Sequence, residues 1–564
     1  MVIWSVIIRV EFVNRLKFFF AKCRLYIVTI SYLRFPQVYY QAKYRLRPRS
    51  DVPSLGECNF IKNSVCWSSY HKASTIDGIK FSYFGQSGKI STKWSVPDCD
   101  KLWVYNLHYL NDVAILNGEV SKKLAQSIIT NWVNCNKVVS DVGWEPYPTS
   151  IRLVNILKFY TFYDDLTPNN EIISSLGKQA HVLFKNLEYH ILGNHLFTNA
   201  KALIFSGVLI KNQYSKFWLL KGLDVLDREI KEQFLDDGAH FELSPMYHAI
   251  MLWDLLDLIN LAFAVDFEML KSRLNYWCKV ACDALHWLST MLHPDGDIAF
   301  FNDAAFGVGP KPTLVFEYAR QLGLKFENDN SPLITHSNSG YSRVMLDNYS
   351  LFVDHASIGP SYLPGHGHAD SLSFELSIAK TRIFVNSGTS LYGTGKERLR
   401  QRGTQAHNTV CVDQKDSSEV WSGFRVARRA NTTLHKAEIT NNAVLIDASH
   451  DGYLCLPSKI LHRRKFQCSE NSIVITDNLM NNLVTAVAHF HIHPKISISR
   501  GDDKTVKLLL ADKKTIITIF FNNEFQIVES SWHPEFGVSV KNKKLLVEIN
   551  NNKLISTINM GKYS

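Results

Sequence analysis

Residues 326–357 read FENDNSPLITHSNSGYSRVMLDNYSLFVDHAS, and the fold turns on this stretch. Its first half, 326–340, is dense in Asn, Asp, Ser and Gly, the chemistry of a junction. In 342–357 apolar and polar residues alternate on both sides of Asp347-Asn348, which predicts a hairpin turning there. Upstream, apolar residues recur at helical spacing in KLAQSIITNWV (123–133), IRLVNILKFYTFY (151–163), AKALIFSGVLI (200–210) and HAIMLWDLLDLINLAFAV (248–265). Downstream, SLSFELSIAKTRIFVNSG (371–388) and HNTVCVD (407–413) keep a period of two. Segregated elements predict an α+β multidomain chain, all-α then all-β, rather than βαβ alternation. The expected division is a basic, partly helical extension over 1–90, a helical domain over 91–335 and a strand domain over 336–564.

A chain of 564 residues, 46% hydrophobic, exceeds one ordinary core. Its formal net charge of +10 points to an acidic partner: nucleic acid, a membrane surface or a polyanionic sugar. The basic residues are dispersed rather than arranged as a nucleic-acid module, so nucleic acid is not the expected partner. The sequence has no P-loop, no dinucleotide-binding glycine pattern and no G-x-S-x-G elbow. Ten cysteines include no C-x-x-C pair; Cys278 and Cys282 are helix-spaced and read as buried thiols. The apolar N-terminus is interrupted by Arg9, Glu11, Arg15, Lys17, Lys22 and Arg24. It therefore lacks the ~20-residue run of a membrane span and the ordered regions of a signal peptide. It reads as a basic amphipathic helix, packed on the body or in peripheral contact with a membrane.

Several polar constellations stand out. In GNHLFTNAKALIF, from Gly193, Asn194 and His195 precede an apolar helix. They project into a cleft, or Asn194 merely caps the helix. In DGAHFELSPMYHAI, from Asp237, Ser244-Pro245 marks a helix start and puts Tyr247 in its first turn. There the helix macrodipole favours a phenolate, and the residue suits proton transfer or simple ring packing. The run PGHGHAD (364–370) carries His366, His368 and Asp370 at every second position, as metal ligands, acid/base catalysts or a polar turn leading into a strand. Histidine, a side-chain oxygen from VNSGTS (385–390) and a second histidine from RGTQAHNTV (402–410) would suit zinc if a fold joined them. In HFHIHP (489–494), His489, His491 and His493 share one strand face, read as solvated.

Taken in order, GNHLFTNAKALIFSG, GAHFELSPMYHAIMLWDLLD, GHGHADSLSFEL, VNSGTSLYG and RGTQAHNTV resemble the heparinase II/III family of polysaccharide lyases, over roughly Trp103 to Arg429. The resemblance implies an incomplete (α/α) toroid of helical hairpins followed by an antiparallel β-sandwich. It implies β-elimination on a uronic-acid-containing acidic polysaccharide such as heparan sulfate or alginate. That reaction needs a base for the C5 proton, an acid for the departing glycosidic oxygen and stabilisation of the enediolate. By motif position, Asn194 and His195 would neutralise the substrate carboxylate, Tyr247 would be the main acid/base and His366 the second. His368 and His407 match positions that hold one structural metal, commonly zinc; Asn386 stands where an aspartate is usual, and a neutral amide is a weaker ligand. Substrate-binding candidates are Trp144 and Tyr147 for stacking, with Arg152, Glu242, Tyr392, Arg400 and Arg402. The family location is the cell envelope or periplasm, with cytoplasmic or membrane-peripheral placement as the alternative because no export signal is visible. Rival readings are a uronate C5-epimerase and a silent glycan-binding protein; Asn194, Tyr247 and His366 together argue against the latter.

Overall fold

A computed structural model describes residues 2–46, 55–91, 94–139, 141–327, 329–440, 443–481, 485–510 and 516–560. From Lys101–Tyr109 to Pro312–Gln321 the chain is dominated by helices, the longest being Ser215–Gln233, Pro245–Ala264 and Glu268–Thr290. The starts are written locally. Asp100, Ser121, Asn169 and Ser244 each accept a hydrogen bond from the backbone N–H three residues on, worth about 1 kcal/mol apiece. Helices Gly193–Leu209 and Ser215–Gln233 approach closely because glycines line the crossing: a Cβ on Gly207 would lie 2.7 Å from Leu219 N. Trp103, Trp132, Trp218 and Trp277 fill the core between the helices. Pro245–Ala264 is long and apolar enough to cross a membrane, but it is mostly buried inside this core.

Apart from short strands at Asn59–Phe60, Lys80–Tyr83, Gln86–Lys89 and Ile210–Lys211, strands begin at Leu333–His336, within the junction. Leu346 pairs with Tyr349 across Asp347-Asn348, the expected hairpin. Among the described residues two large antiparallel sheets follow, of nine and eight strands, beside a two-stranded pair at Val420–Trp421 and Arg425–Val426. The first runs from Leu333–His336 through successive hairpins to Thr381–Phe384, then on through Ala486–Ile492 and Val540–Glu548 to Phe525–Trp532. The second runs from Thr432–Thr440 to Ser497–Arg500, with Lys553–Met560 inserted at its centre. Their apolar faces share one core: Phe374 meets Phe466 at 5.7 Å, and Phe490 meets Phe521 at 5.4 Å between ring centroids.

The N-terminal segment forms helices Val2–Ser31 and Phe35–Leu46. The first is not amphipathic as expected, because its apolar residues are spread around the circumference instead of forming a stripe; the side chains of Arg9 and Glu11 lie outside the described residues. It packs on the strand unit: Tyr26 meets Trp421 at 4.8 Å, Trp421 Nε1 donates to Thr29, and Arg24 pairs with Glu419. The second helix crosses to the helical unit, where Tyr40 meets Tyr189 at 4.8 Å. Cys278 and Cys282 are free thiols, only half-buried, because their face of Glu268–Thr290 is the partly exposed one.

Candidate active site

Three segments build the cleft. Before the helix Gly193–Leu209, Leu192 and Gly193 adopt positive φ of 70° and 58°. This turn makes Leu192 the N-cap residue and places Asn194 inside the first turn, so Asn194 is not the cap. Its Nδ2 donates instead to both carboxylate oxygens of Glu242, at 3.0 and 3.2 Å. Glycine is required at 193 twice over, since a Cβ would also come within 2.6 Å of Glu242 Oε1. His195 lies with Nδ1 3.1 Å from Glu188 Oε1 and its ring stacked 4.1 Å from Tyr147. Asn199 donates to the other oxygen of Glu188, fixing that carboxylate.

The second segment is the helix start at Ser244-Pro245. Ser244 Oγ accepts from Tyr247 N and donates to Asp303 O, pinning the first turn against the third segment. The Tyr247 ring faces His366 at 3.9 Å, and its hydroxyl is 2.8 Å from that of Tyr392. Burial, then the neighbouring Tyr392 and the Asp303 charge, pushes the Tyr247 phenol well above its ordinary value. That reverses the expected macrodipole effect: desolvation outweighs a fraction of a charge at a helix end. The resting residue is a neutral phenol, hence a proton donor.

The third segment is PGHGHAD. His366 Nδ1 is 2.8 Å from Asp303 Oδ2, while Nε2 faces Glu242 Oε2 at 3.5 Å. The carboxylate fixes the proton on Nδ1 and leaves Nε2 to the cleft. Asp303 is fully buried and also meets His368 Nε2 at 2.9 Å, Thr389 Oγ1 at 3.2 Å and both terminal nitrogens of Arg398. Burial alone would raise its carboxyl, but the Arg398 guanidinium and the two histidines hold it well below the usual carboxylate range. One carboxylate thus orients both histidines of the motif.

Asp303 also decides how the metal candidates can be used. With its proton on Nε2, His368 turns a bare Nδ1 toward His407 Nε2, 3.3 Å away. Burial lowers His368 to about 4 and His407 well below the usual imidazole value, so both rings are neutral. His407 Nδ1 has no partner among the described residues. Asn386 is bonded to the backbone on both sides of its amide: its Nδ2 donates to Phe300 O and its Oδ1 accepts from Asn408 N. Asp370 brings a carboxylate to the pair, with ligand atoms of His368, Asp370 and His407 all within 4.8 Å of one another. Two neutral imidazoles and a carboxylate, with Asp303 behind one ring, fit zinc in donor type and in outer support.

Other candidates fall elsewhere. Arg152 is fully buried, stacked on Trp132 at 3.7 Å and bonded to Gln179 and His108 O, so it supports the helical core and cannot reach a substrate. Trp144 packs into the same core beside Trp132. Arg402 is buried too, donating to Gly367 O and Gly423 O; it holds the PGHGHAD loop from behind. Arg400 is partly exposed but tied to Glu397, Ser531 and His533, outside the cluster around Tyr247. Tyr147, Glu242 and Tyr392 line the cleft as described. The HFHIHP face is buried, not solvated: Lys544 lies 3.2 Å from His489, His491 meets Gln405 O at 3.0 Å and His493 packs on Trp532. Asp303, Glu188 and Arg398 are groups that sequence reading passed over, and Asp370, visible in PGHGHAD, received no role there.

Two family models match the chain, Heparinase II/III N-terminus over residues 122–315 and Heparinase II/III-like, C-terminal over 328–560. The chain belongs to the heparinase II/III family. It is 22% identical over 500 residues to a heparin-sulfate lyase of Bacteroides thetaiotaomicron, covering 79% of this chain and 68% of that protein. It is 26% identical over 302 residues to a heparin-sulfate lyase of Pedobacter heparinus, covering 48% and 44%. The crystal structure of a heparinase III superposes with a TM-score of 0.70 at 17% identity, covering 94% of this chain and 90% of that one. A mutant heparan sulfate lyase from Pedobacter heparinus gives 0.61 at 17%, covering 94% and 88%.

Proposed function

We propose that the protein is a polysaccharide lyase that cleaves a uronate-containing acidic glycan by β-elimination, with heparan sulfate the first candidate substrate. The observation that carries this reading is the pair formed by Tyr247 and His366. A neutral phenol and an imidazole with one nitrogen fixed by Asp303 lie ring to ring at 3.9 Å. In this reading His366 Nε2 removes the C5 proton and Tyr247 protonates the leaving glycosidic oxygen, each transfer worth roughly 10²–10⁴ in rate. Asn194 and His195 receive the uronate carboxylate and stabilise the enediolate. Glu242, bonded to Asn194 and facing His366, turns aside as the substrate carboxylate enters. Tyr392 orients the Tyr247 hydroxyl. One zinc held by His368, His407 and Asp370 would be structural, anchoring the PGHGHAD loop to the strand unit.

We read residues 91–335 as an incomplete (α/α) toroid and 336–564 as a β-sandwich, with 1–90 as an extension; consecutive packed helices and a core shared by two sheets support this. Exposed Phe18, Phe19, Phe20 and Ile27 beside Lys17, Lys22 and Arg24 support peripheral contact of the extension with a membrane. The epimerase alternative is not favoured, since the curated relatives reported above are named as lyases.

The test is incubation with a panel of acidic polysaccharides, following unsaturated-uronate absorbance and solvent deuterium at C5. New absorbance with chain cleavage is expected. Deuterium uptake without cleavage would make the protein an epimerase, and binding without either signal would make it a silent binder.

A further inference from the structure

We infer that the N-terminal extension completes a second sugar site beside the cleft, shaped for one sulfated or carboxylated residue of the glycan; this rests on the lyase reading above. A cavity of about 190 Å³ lies between the helix Phe35–Leu46 and residues 184–190, closed on the third side by Lys221. That is below the roughly 300–1,000 Å³ of drug-sized sites and suits a single ring. The extension contributes Tyr40, Lys43 and Tyr44, and the helical unit contributes Lys185, Tyr189, His190 and Lys221. Three of the lining side chains are lysines and none is a carboxylate; Lys221 also pairs with Asp224 at 3.5 Å, outside the lining.

The aromatic groups are arranged as walls. Tyr44 stacks on His190 at 4.6 Å with an interplanar angle of 19°, and Tyr40 meets Tyr189 at 4.8 Å. Lys43 lies 5.5 Å from the Tyr40 ring centre and Lys221 5.5 Å from that of Tyr189. Tyr44 remains 49% exposed. Aromatic side chains with ammonium groups lying over the rings of Tyr40 and Tyr189 match a sugar ring bearing an anionic substituent, the ring packing against the exposed part of Tyr44 and the anion meeting lysine. Position ties the cavity to the cleft. Glu188, two residues before His190, is the carboxylate that holds His195. A glycan leaving the cleft past His195 therefore meets this cavity. The extension lies outside both family-model matches, which start at residue 122.

The experiment measures binding by calorimetry in a Tyr247→Phe background, using size-defined heparan sulfate tetrasaccharides and octasaccharides. Adding Lys43→Ala with Lys221→Ala is expected to weaken octasaccharide binding about tenfold, the effect of losing charge-assisted contacts, and to leave the tetrasaccharide unchanged. Tyr44→Ala is expected to act in the same selective way. Unchanged octasaccharide affinity, equal loss at both lengths, or no binding at either length in the background protein would overturn the site. Cleavage of heparan sulfate by the unaltered protein is scored separately. Cleavage without any variant effect leaves the lyase and removes the cavity site; a selective binding loss without cleavage does the reverse.

Discussion

Replacing Asp303 by asparagine removes one charge at the point where the site's elements converge. The carboxylate meets His366, His368, Thr389 and two nitrogens of Arg398. An amide offers one oxygen and turns an NH₂ on the remainder. If the NH₂ takes the place of Oδ2, it points at His366 Nδ1 and drives the ring to the other tautomer, so Nε2 carries the proton and no longer serves as a base. In the opposite orientation the NH₂ opposes His368 and Arg398. Either way Arg398, fully buried, loses its counter-charge, a loss of about 3–5 kcal/mol in stability. Loss of the orienting carboxylate behind a catalytic histidine costs up to about 10⁴ in kcat. The assay is initial rate on heparan sulfate by unsaturated-uronate absorbance, run below the variant's own unfolding transition measured by calorimetry. The expected result is a kcat lowered ~10²–10⁴ with KM within a few-fold, together with a clear drop in Tm. A folded variant retaining kcat within tenfold of the original would refute the role given to Asp303.

Burial pushes the Glu229 carboxyl up from 4.5 to about 7, so between those pH values the folded chain keeps a proton that the unfolded chain releases. The contribution of this group to stability is full below pH 4.5 and is lost, by roughly 3 kcal/mol, as pH rises to 7; Glu229→Gln, which keeps the Gln233 bond, is expected to flatten that slope in Tm measured against pH. Metal content by elemental analysis is expected to fall from about one zinc per chain to none in Asp370→Ala and in His407→Ala, and to persist in Asn386→Ala. Arg152→Ala is expected to lower Tm while leaving KM unchanged, because the side chain is an internal support bonded to Gln179 and His108 O.

The change from helices to strands was legible because hydrophobic period reports which face of an element is buried, and 342–357 carries the new period around a two-residue turn. Asn194, His195, Tyr247 and His366 were legible only as motif matches, and their convergence depends on two turns. One is the positive φ of Leu192 and Gly193; the other is that of Asn302, 57°, beside Asp303. In IAFFNDAAF (298–306) nothing local marks Asp303 except a polar pair inside an apolar run. Asp370 carried a usable signal, since residues two apart share a face of an extended chain and it follows His368 by two. Arg152 and Trp144 misled because a polar or aromatic residue on a helix reads the same whether it faces a cleft or a neighbouring helix. Only the packing of Lys122–Cys135 and Asn170–Lys185 around them decides.

The central claim is that His366 takes the C5 proton and Tyr247 gives one to the leaving oxygen. Heparan sulfate incubated in deuterated water with the unaltered protein, Tyr247→Phe and His366→Ala separates the two steps, reading unsaturated-uronate absorbance and C5 deuterium in uncleaved chains. The account predicts cleavage by the unaltered protein, C5 exchange with little cleavage in Tyr247→Phe, and neither in His366→Ala. Cleavage at the original rate by Tyr247→Phe, or exchange surviving in His366→Ala, would contradict it.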